Sequence, residues 1–403
     1  MALFRRKPAT PDLDHVNILM FNAAGRGGVA RSVNILANQL ASTRSVDVYS
    51  VMRDREEPQF EIDPRVRVHW LVDNRTGGGR RGRPRRDPQA NPRDKELDNT
   101  VSALEPDKLM SAYTDLVLER TLPKLRPGYL ITTRPLLHLA ALKWAPPHQV
   151  LVAQDHGNFE RRMISTRVHE ILDEVVPAFD AFVTLTDSDR DDYQKMYPAA
   201  NVARVPNASP YKRGHRSTLD TKIALSAGRL SGEKGFDRLI DAYAPLATEF
   251  PDWQLHIYGK GLLHDKLQDQ IDRLDVAEHV KLQGYTLEFD RVLSESSFYA
   301  MASYTEGFPM VLLEAMSHGL PLVSFDCPRG PAEIIRDGVN GRLVDDGDLP
   351  AYTDALRQVI GDDALRHEMG DAAYDDAEQY EVERVAQGWE QVLASAAARH
   401  SRR

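Results

Sequence analysis

Two glutamates, Glu306 and Glu314, lie in the segment SYTEGFPMVLLEAMSHGLP, whose residue order predicts a strand end, a tight turn and a helix. We expect Pro309 at the first helical position, which the fixed φ of proline suits. A helix start leaves backbone N–H groups free and has a positive dipole end, which together can bind a diphosphate. Glu314 can then reach a vicinal diol such as a ribose, while Glu306 can contact a sugar ring.

Two basic residues upstream could bind the same diphosphate. Arg229 and Lys234 lie in GRLSGEKG, directly after a predicted strand. Arginine offers a planar fork and lysine a point charge, and both stabilise the negative charge that develops on a departing nucleotide. Alone, the pair could equally be solvent-exposed on a turn, but beside the Glu306 and Glu314 segment we interpret it as a phosphate site.

The strands that must position these residues alternate with predicted helices in both halves of the chain. In the first half we predict strands at residues 15–21, 46–51, 66–71, 129–132, 149–153 and 181–184. In the second half we predict strands at residues 223–227, 253–258, 280–283, 298–302, 322–325 and 341–344. Such alternation predicts α/β architecture with two doubly wound parallel sheets. A chain of 403 residues is also too long for one core, and residues 204–214 are the expected hinge.

The net charge of −9 does not favour nucleic acid or anionic membrane as a partner of the whole surface. Six arginines and no acidic residue lie between Arg75 and Arg86, within a Gly-, Pro- and Arg-rich segment at residues 73–98. We predict a disordered insertion there, either solvated or in electrostatic contact with an anionic acceptor or an anionic membrane. We expect no nucleic-acid partner.

The only cysteine, Cys327, leaves no intrachain disulfide, and we predict a structural role for it. No apolar run approaches the roughly 18 residues of a membrane span, and no signal-type apolar core follows the first arginines. The expected location is the cytoplasm, with peripheral contact at the inner face of the membrane as an alternative.

Taken together, these motifs resemble the signature of retaining glycosyltransferases of family 4, in which two glutamates are separated by seven residues. The resemblance continues upstream in SAGRLSGEKGFDRLIDA and YGKGLL and downstream in VSFDCPRGPAEIIRDGVNGRLV, covering nearly all of residues 223–344. It implies the GT-B fold, with two Rossmann-like domains facing a central cleft. Residues 1–205 and a C-terminal crossover helix, 385–403, would form the acceptor-side domain, and residues 206–384 the donor-binding domain.

By position, the resemblance implies Glu306, His156, Arg229 and Lys234 as catalytic residues. The implied donor-binding set adds two glycine loops and the start of the Glu314 helix: Gly27, Gly28, Arg229, Lys234, Gly259, Gly307, Phe308, Pro309, Met310, Val311 and Glu314. On the acceptor side we assign Arg31, Asp155 and Asn158, because GRGGVARS and DHGN resemble family loops that follow strands.

The resemblance implies retaining transfer of a hexose or N-acetylhexosamine from a nucleotide-sugar to a hydroxyl of a glycan, glycolipid, lipid-linked sugar or anionic cell-wall polymer. A UDP-sugar is the expected donor, since CPRGPAEII resembles the form in UDP-sugar-using relatives. No metal or cofactor is expected, and helix capping explains the D-x-D at Asp187 and Asp189 better than metal binding.

Three alternatives stay open: a GT-B phosphorylase, a nucleotide-sugar epimerase or hydrolase, and a non-catalytic sugar-nucleotide or nucleic-acid binder. A fourth, an NAD-dependent oxidoreductase, is disfavoured. The last would require the G-x-G-x-x-G fingerprint, which the glycine loop at residues 25–32 lacks.

Overall fold

The computed structural model describes residues 11–75, 101–102 and 110–403. Most of the predicted insertion at residues 73–98 therefore lies outside the described residues. The chain divides into two compact units, one formed by Met1–Pro206 with Val385–Arg403 and the other by Asn207–Arg384. The division falls inside the segment that the sequence predicts as the hinge.

The first unit is built on a seven-stranded parallel sheet in the order β3-β2-β1-β4-β5-β6-β7. Its strands are β1 His15–Met20, β2 Ser45–Arg53, β3 Val66–Asp73, β4 Gly128–Thr132, β5 Gln149–Gln154, β6 Ala181–Thr184 and β7 Val202–Arg204. The helices between them are α1 Gly28–Leu40, α2 Ala112–Thr121, α3 Pro135–Trp144, α4 Phe159–Ile164, α5 Thr166–Ala178 and α6 Asp187–Met196. Every residue of β1, β4 and β6 is buried, as expected for parallel strands with helices on both faces.

The second unit has a six-stranded parallel sheet in the order β10-β9-β8-β11-β12-β13. Its strands are β8 Ile223–Ala227, β9 Gln254–Tyr258, β10 Val280–Gly284, β11 Phe298–Met301, β12 Leu322–Asp326 and β13 Gly341–Asp345. The helices are α7 Phe236–Glu249, α8 His264–Arg273, α9 Phe289–Ser294, α10 Met310–Met316, α11 Pro331–Ile334, α12 Leu349–Gly361 and α13 Asp363–Asp376. Buried apolar residues of α7 and α12 pack with the strands in one core.

The last helix, α14 Val382–His400, brings the chain back to the first unit. Trp389 on this helix is 2% exposed. Arg44, which follows α1, donates two hydrogen bonds to Glu390, of 2.5 and 2.6 Å. The ion pair and the buried tryptophan attach residues 385–403 to the first unit.

The parallel architecture predicted from the sequence is confirmed, while several element boundaries differ. The strand predicted at residues 15–21 ends at Met20, and Pro309 is the N-cap of α10 rather than its first helical residue. The extended backbone of Pro309, with ψ near 95°, explains that difference. Among the described residues, no helix combines the length and apolar character that a membrane span requires.

Candidate active site

The polar residues predicted to bind the diphosphate flank the point where the strand order of the second sheet reverses. From β8 the chain adds β9 and β10 on one side, then crosses to β11 on the other. Ligands of open parallel sheets bind at the carboxyl ends of the strands beside such a switch point. Arg229 and Lys234 follow β8, and Glu306 follows β11, so the topology brings the two predicted groups to one place.

A short hydrogen-bonded chain joins these two groups. Lys234 Nζ lies 2.6 Å from Glu306 Oε1, and Ser303 Oγ donates to the same oxygen at 2.6 Å. Ser303 is buried, whereas Lys234 and Glu306 are partly exposed. The ammonium and the carboxylate can therefore reach a ligand while each holds the other in place.

Arg229 differs from Lys234 in having no such restraint. Its side chain is exposed, and within the described part of the chain its guanidinium makes no hydrogen bond or ion pair. Its charge is thus available to an anionic ligand.

Glu314 is only 3% exposed on α10. That helix has seven residues and no side-chain cap. The loop before it is tied to the loop after β12, because Glu306 N donates to Pro328 O at 2.9 Å and Arg329 N donates to Glu306 O at 3.3 Å. The connection between Glu306 and the helix interior consists of Gly307, Phe308, Pro309, Met310 and Val311. Arg229 and Lys234 carry full positive charges, which add to the partial positive charge at the start of this short helix.

Two glycines allow close backbone contacts at this edge of the sheet. Gly235 has φ near +60°, and a Cβ there would lie 1.8 Å from Ala302 O. Gly259, with φ near +153°, would place a Cβ 1.8 Å from Gly228 O. Neither position can hold a side chain without moving the segment that carries Lys234 or Arg229.

Arg238 and Ser303 are site residues that the sequence analysis missed. Arg238, 8% exposed, donates to Ala302 O at 2.6 Å and also to Ser303 O, and it pairs with Asp346 at 2.8 Å. Its guanidinium carbon lies 4.0 and 4.1 Å from the ring centroids of Tyr304 and Phe325. Arg238 therefore fixes the backbone from which Ser303 and Glu306 extend. The sequence did contain one signal for Arg238, namely an arginine placed among the apolar residues of α7.

In the first unit, Gly27 is the N-cap of α1 and Gly28 is its first residue. A Cβ on Gly27 would meet nothing within 4 Å, so open space surrounds this position. Arg31, one turn into the helix, lies over the Phe60 ring at 5.2 Å from its centroid.

The predicted acceptor-side residues after β5 are held within the unit. Asp155, 1% exposed, accepts hydrogen bonds from Arg162 Nη2 at 2.6 Å and from the Tyr193 hydroxyl at 3.2 Å. Asn158 caps α4 by accepting from Arg161 N at 2.8 Å. Both side chains therefore have structural partners in this loop.

His156 stands between them and is half-buried. Its Nε2 is buried and has no hydrogen-bond partner among the described residues. Burial lowers the pKa of His156 to about 4, so the imidazole is neutral near pH 7. A neutral ring in this place can donate one hydrogen bond and accept another.

Two other sequence predictions concern the D-x-D at Asp187 and Asp189 and the role of Cys327. Thr186 caps α6 by accepting from Asp189 N at 3.1 Å, so Asp187 and Asp189 stand in the capped first turn of a helix. Cys327 is buried, and burial raises the pKa of its thiol to about 12. Of the described residues, Asp220, Asp363 and His367 could together offer three metal ligands, but the two aspartates are exposed.

Residues 209–376 match the family model described as glycosyl transferases group 1. An exopolysaccharide phosphotransferase from Streptomyces coelicolor is 32% identical over 380 residues, which are 93% of this chain and 40% of that protein. The amylovoran biosynthesis glycosyltransferase AmsD of Erwinia amylovora is 29% identical over 310 residues, 74% of this chain and 86% of that protein.

Among solved structures, HepE of Anabaena in complex with UDP matches with a TM-score of 0.72 at 17% identity, covering 94% of this chain and 100% of that one. The chain thus spans 40% of the Streptomyces relative and the whole of the HepE structure. Identity this low shows the fold alone. The match to the glycosyl transferases group 1 model thus lies within the second unit, and the two Rossmann-like α/β units have the GT-B fold.

Proposed function

We propose that the protein is a glycosyltransferase that moves a sugar from a nucleotide-sugar to a hydroxyl group of a glycan or polymer. The observation that carries this proposal is the contact between Lys234 and Glu306 at the switch point, close in sequence to Arg229, whose guanidinium has no ion pair or hydrogen bond among the described residues. A diphosphate needs the two cations, and a sugar ring needs a carboxylate next to them. The group 1 match over residues 209–376 supports the same activity.

The donor in this proposal is a UDP-sugar carrying a hexose or an N-acetylhexosamine, and the anomeric configuration is retained. The resemblance of the glutamate motif and of CPRGPAEII to UDP-sugar-using members of family 4 supports this choice. The structure of HepE, which has the same fold, contains UDP. Acceptor contacts are proposed for the first unit, at Arg31 and the loop from Asp155 to Asn158.

In this reaction Arg229 and Lys234 bind the diphosphate and stabilise the charge that grows on it as the sugar leaves. Lys234 already interacts with Glu306, so donor binding places the ammonium between two anions, the phosphate and the carboxylate. Glu306 accepts hydrogen bonds from the sugar hydroxyls, and the buried Glu314 accepts them from the ribose diol.

The proton of the acceptor hydroxyl passes to a phosphate oxygen of the donor, on the face that the leaving group occupies. No separate strong base is then required, and His156, being neutral, orients a sugar hydroxyl through one hydrogen bond. The proposed chemistry uses no metal, since the two cationic side chains supply the charge that a metal would otherwise provide.

Calorimetry with UDP, GDP and NAD tests the donor assignment. UDP should bind, and Lys234→Ala should weaken that binding strongly. Lys222→Ala is the matched control, because Lys222 is an exposed lysine of the same unit that pairs with Asp252. Tight binding of NAD without UDP would contradict the proposal.

A panel of UDP-sugars with candidate acceptors then tests the activity, and NMR of the product tests retention of configuration. Phosphate-dependent release of the sugar would favour a phosphorylase. Turnover of the donor without any acceptor would favour an epimerase or a hydrolase.

A further inference from the structure

The two strands beside the switch point separate before they end. Strand β8 pairs with β9 through all five of its residues, 223–227, but with β11 only through Ala224 and Leu225. Strand β11 pairs with β12 as far as Met301. The gap between β8 and β11 therefore opens at their carboxyl ends, where Arg229 and Ser303 follow.

Tyr299 fills the gap at the level where pairing stops. Its backbone pairs with Leu225, and its hydroxyl reaches Ala227, two residues or about 6.6 Å farther along β8. The hydroxyl donates to Ala227 O at 3.0 Å and accepts from Ala227 N at 2.9 Å. If β11 paired with β8 over a greater length, its backbone would hydrogen-bond Ala227 N and Ala227 O. The Tyr299 side chain makes both of these hydrogen bonds instead.

We propose that Tyr299 is a positioning residue that holds the β8–β11 gap open and fixes the backbone leading to Arg229 for the donor diphosphate. This inference rests on the proposed function. Tyr299 is fully buried and does not itself touch the ligand in this proposal. Its role is to keep the end of β8 from pairing with the end of β11.

The hydroxyl is suited to this task because it stays protonated. Burial raises the pKa of Tyr299 well above its usual range, and the charges of Glu314 and Glu306 add to the effect. The phenol can therefore donate one hydrogen bond and accept another at any working pH.

Without the hydroxyl, Ala227 N and Ala227 O would lose their hydrogen-bond partner in a partly buried place, which is costly. The variant would relax by admitting water or by drawing β11 toward β8. The donor would then have to reverse that relaxation on binding, so affinity would fall through lost preorganisation.

Two other buried tyrosines of the same unit provide matched controls. The Tyr352 hydroxyl donates to Met301 O at 3.0 Å, on the β12 side of β11, so its removal costs a buried hydrogen bond without affecting β8. The Tyr243 hydroxyl is buried and has no partner in the described chain. Tyr352→Phe controls for general loss of stability, and Tyr243→Phe controls for the substitution itself.

The experiment measures UDP binding by calorimetry and donor kinetics for the wild type and the three phenylalanine variants. Tyr299→Phe should weaken UDP binding by between about fivefold and a hundredfold, the range that unpaired buried polar groups produce. The donor KM should rise by a similar factor, while kcat at saturating donor stays within about threefold. Tyr352→Phe and Tyr243→Phe should bind UDP within about twofold of the wild type.

A folded Tyr299→Phe protein that binds UDP as the wild type does would overturn the inference, as would an equal loss in Tyr352→Phe. If Tyr299→Phe does not fold, hydrogen exchange of the Ala227 amide in the wild type still tests the inference. The Ala227 amide should be protected without UDP, and exchange as fast as in an exposed loop would also overturn the inference. Failure of the wild type to bind UDP would instead refute the proposed donor, while the exchange result would still test Tyr299.

Discussion

The two units have the same kind of sheet, yet their polar residues are used differently. In the second unit, Lys234, Glu306 and Ser303 come from both sides of the switch point and bind one another where a ligand can reach them. In the first unit, Asp155 is buried against Arg162 and Tyr193. A polar residue at the carboxyl end of a parallel strand is therefore open to a ligand in one unit and held by the loop's own structure in the other.

This comparison predicts that substituting the buried loop carboxylate of the first unit acts mainly on stability, whereas substituting the exposed cations of the second unit acts mainly on activity. The largest effect is expected for Asp155→Ala, which leaves Arg162 without its buried partner and should lower the free energy of unfolding by about 3 to 5 kcal/mol. Denaturant unfolding measures that loss. UDP binding at 25 °C should persist in the folded fraction, and its selective loss would break the comparison.

Asp187→Ala is the matched control for this prediction. Asp187 pairs with Arg190 on α6, but its side chain is 49% exposed. Exposed pairs contribute little, so the free energy of unfolding should change by less than about 1 kcal/mol.

Arg229→Ala should have nearly as large an effect, but on catalysis. Losing a cation that stabilises the leaving diphosphate should raise the barrier by about 2.7 to 4 kcal/mol, or a hundredfold to a thousandfold in rate. The melting temperature should not change, because this side chain is exposed and unpaired among the described residues. Arg273→Ala, another exposed arginine of the second unit, should leave both quantities unchanged. A large fall in melting temperature for Arg229→Ala would show that this residue too is structural.

His156 predicts a pH dependence that belongs to the first unit. Burial lowers the pKa of His156 to about 4, below the usual value near 6.5. Between these two values the unfolded chain takes up a proton that the folded chain does not, so stability should fall as pH drops from about 6.5 toward 4. Burial also lowers the pKa of His138, to about 3, which acts in the same direction.

Urea unfolding at pH 7, 6 and 5 should show this slope, and His156→Asn should reduce it without changing UDP affinity. Equal slopes in the variant and the wild type would mean that His156 has the same pKa folded and unfolded.

Asn158→Ala tests the helix cap and should have a smaller effect. The side chain caps α4, and a lost cap costs about 1 kcal/mol. Thermal unfolding should report that loss. If acceptor KM rises more than tenfold while the melting temperature is unchanged, Asn158 contacts the acceptor and the proposed acceptor role is sharpened.

Deleting residues 76–94 should have the smallest effect on the donor reaction. These residues belong to the predicted basic insertion, which lies outside the described chain. UDP binding should stay near normal, while acceptor use or binding to anionic vesicles changes. Loss of UDP binding would show that the segment is needed by the second unit.

The sequence was most informative where neighbouring residues act together. Lys234 and Glu306 could be predicted because each lies in a short motif after a strand, and the parallel topology then brings those motifs together. Arg238 and Tyr299 could not, because their partners, Ala302 and Ala227, are 64 and 72 positions away and are backbone atoms. A backbone partner leaves no side-chain signal in the sequence.

Some elements of secondary structure also could not be predicted from the sequence. Strand β7, of three residues, and helices α9 and α11, of six and four, are too short to show a periodic pattern. Asp155 and Asn158 were predicted as acceptor residues because their position after β5 is visible in the sequence. The bonds to Arg162 and Arg161 that occupy them depend on how the loop folds.

Helix α14 has a consequence for how the chain folds during synthesis. The second unit is one continuous stretch, Asn207–Arg384, whereas the first unit needs Val385–Arg403 to cover the surface where Trp389 and Leu393 are buried. Domains usually complete folding in the order in which they leave the ribosome. Here that order is reversed, because the first sheet emerges early but must wait, with part of its apolar surface uncovered, until the second unit has been made.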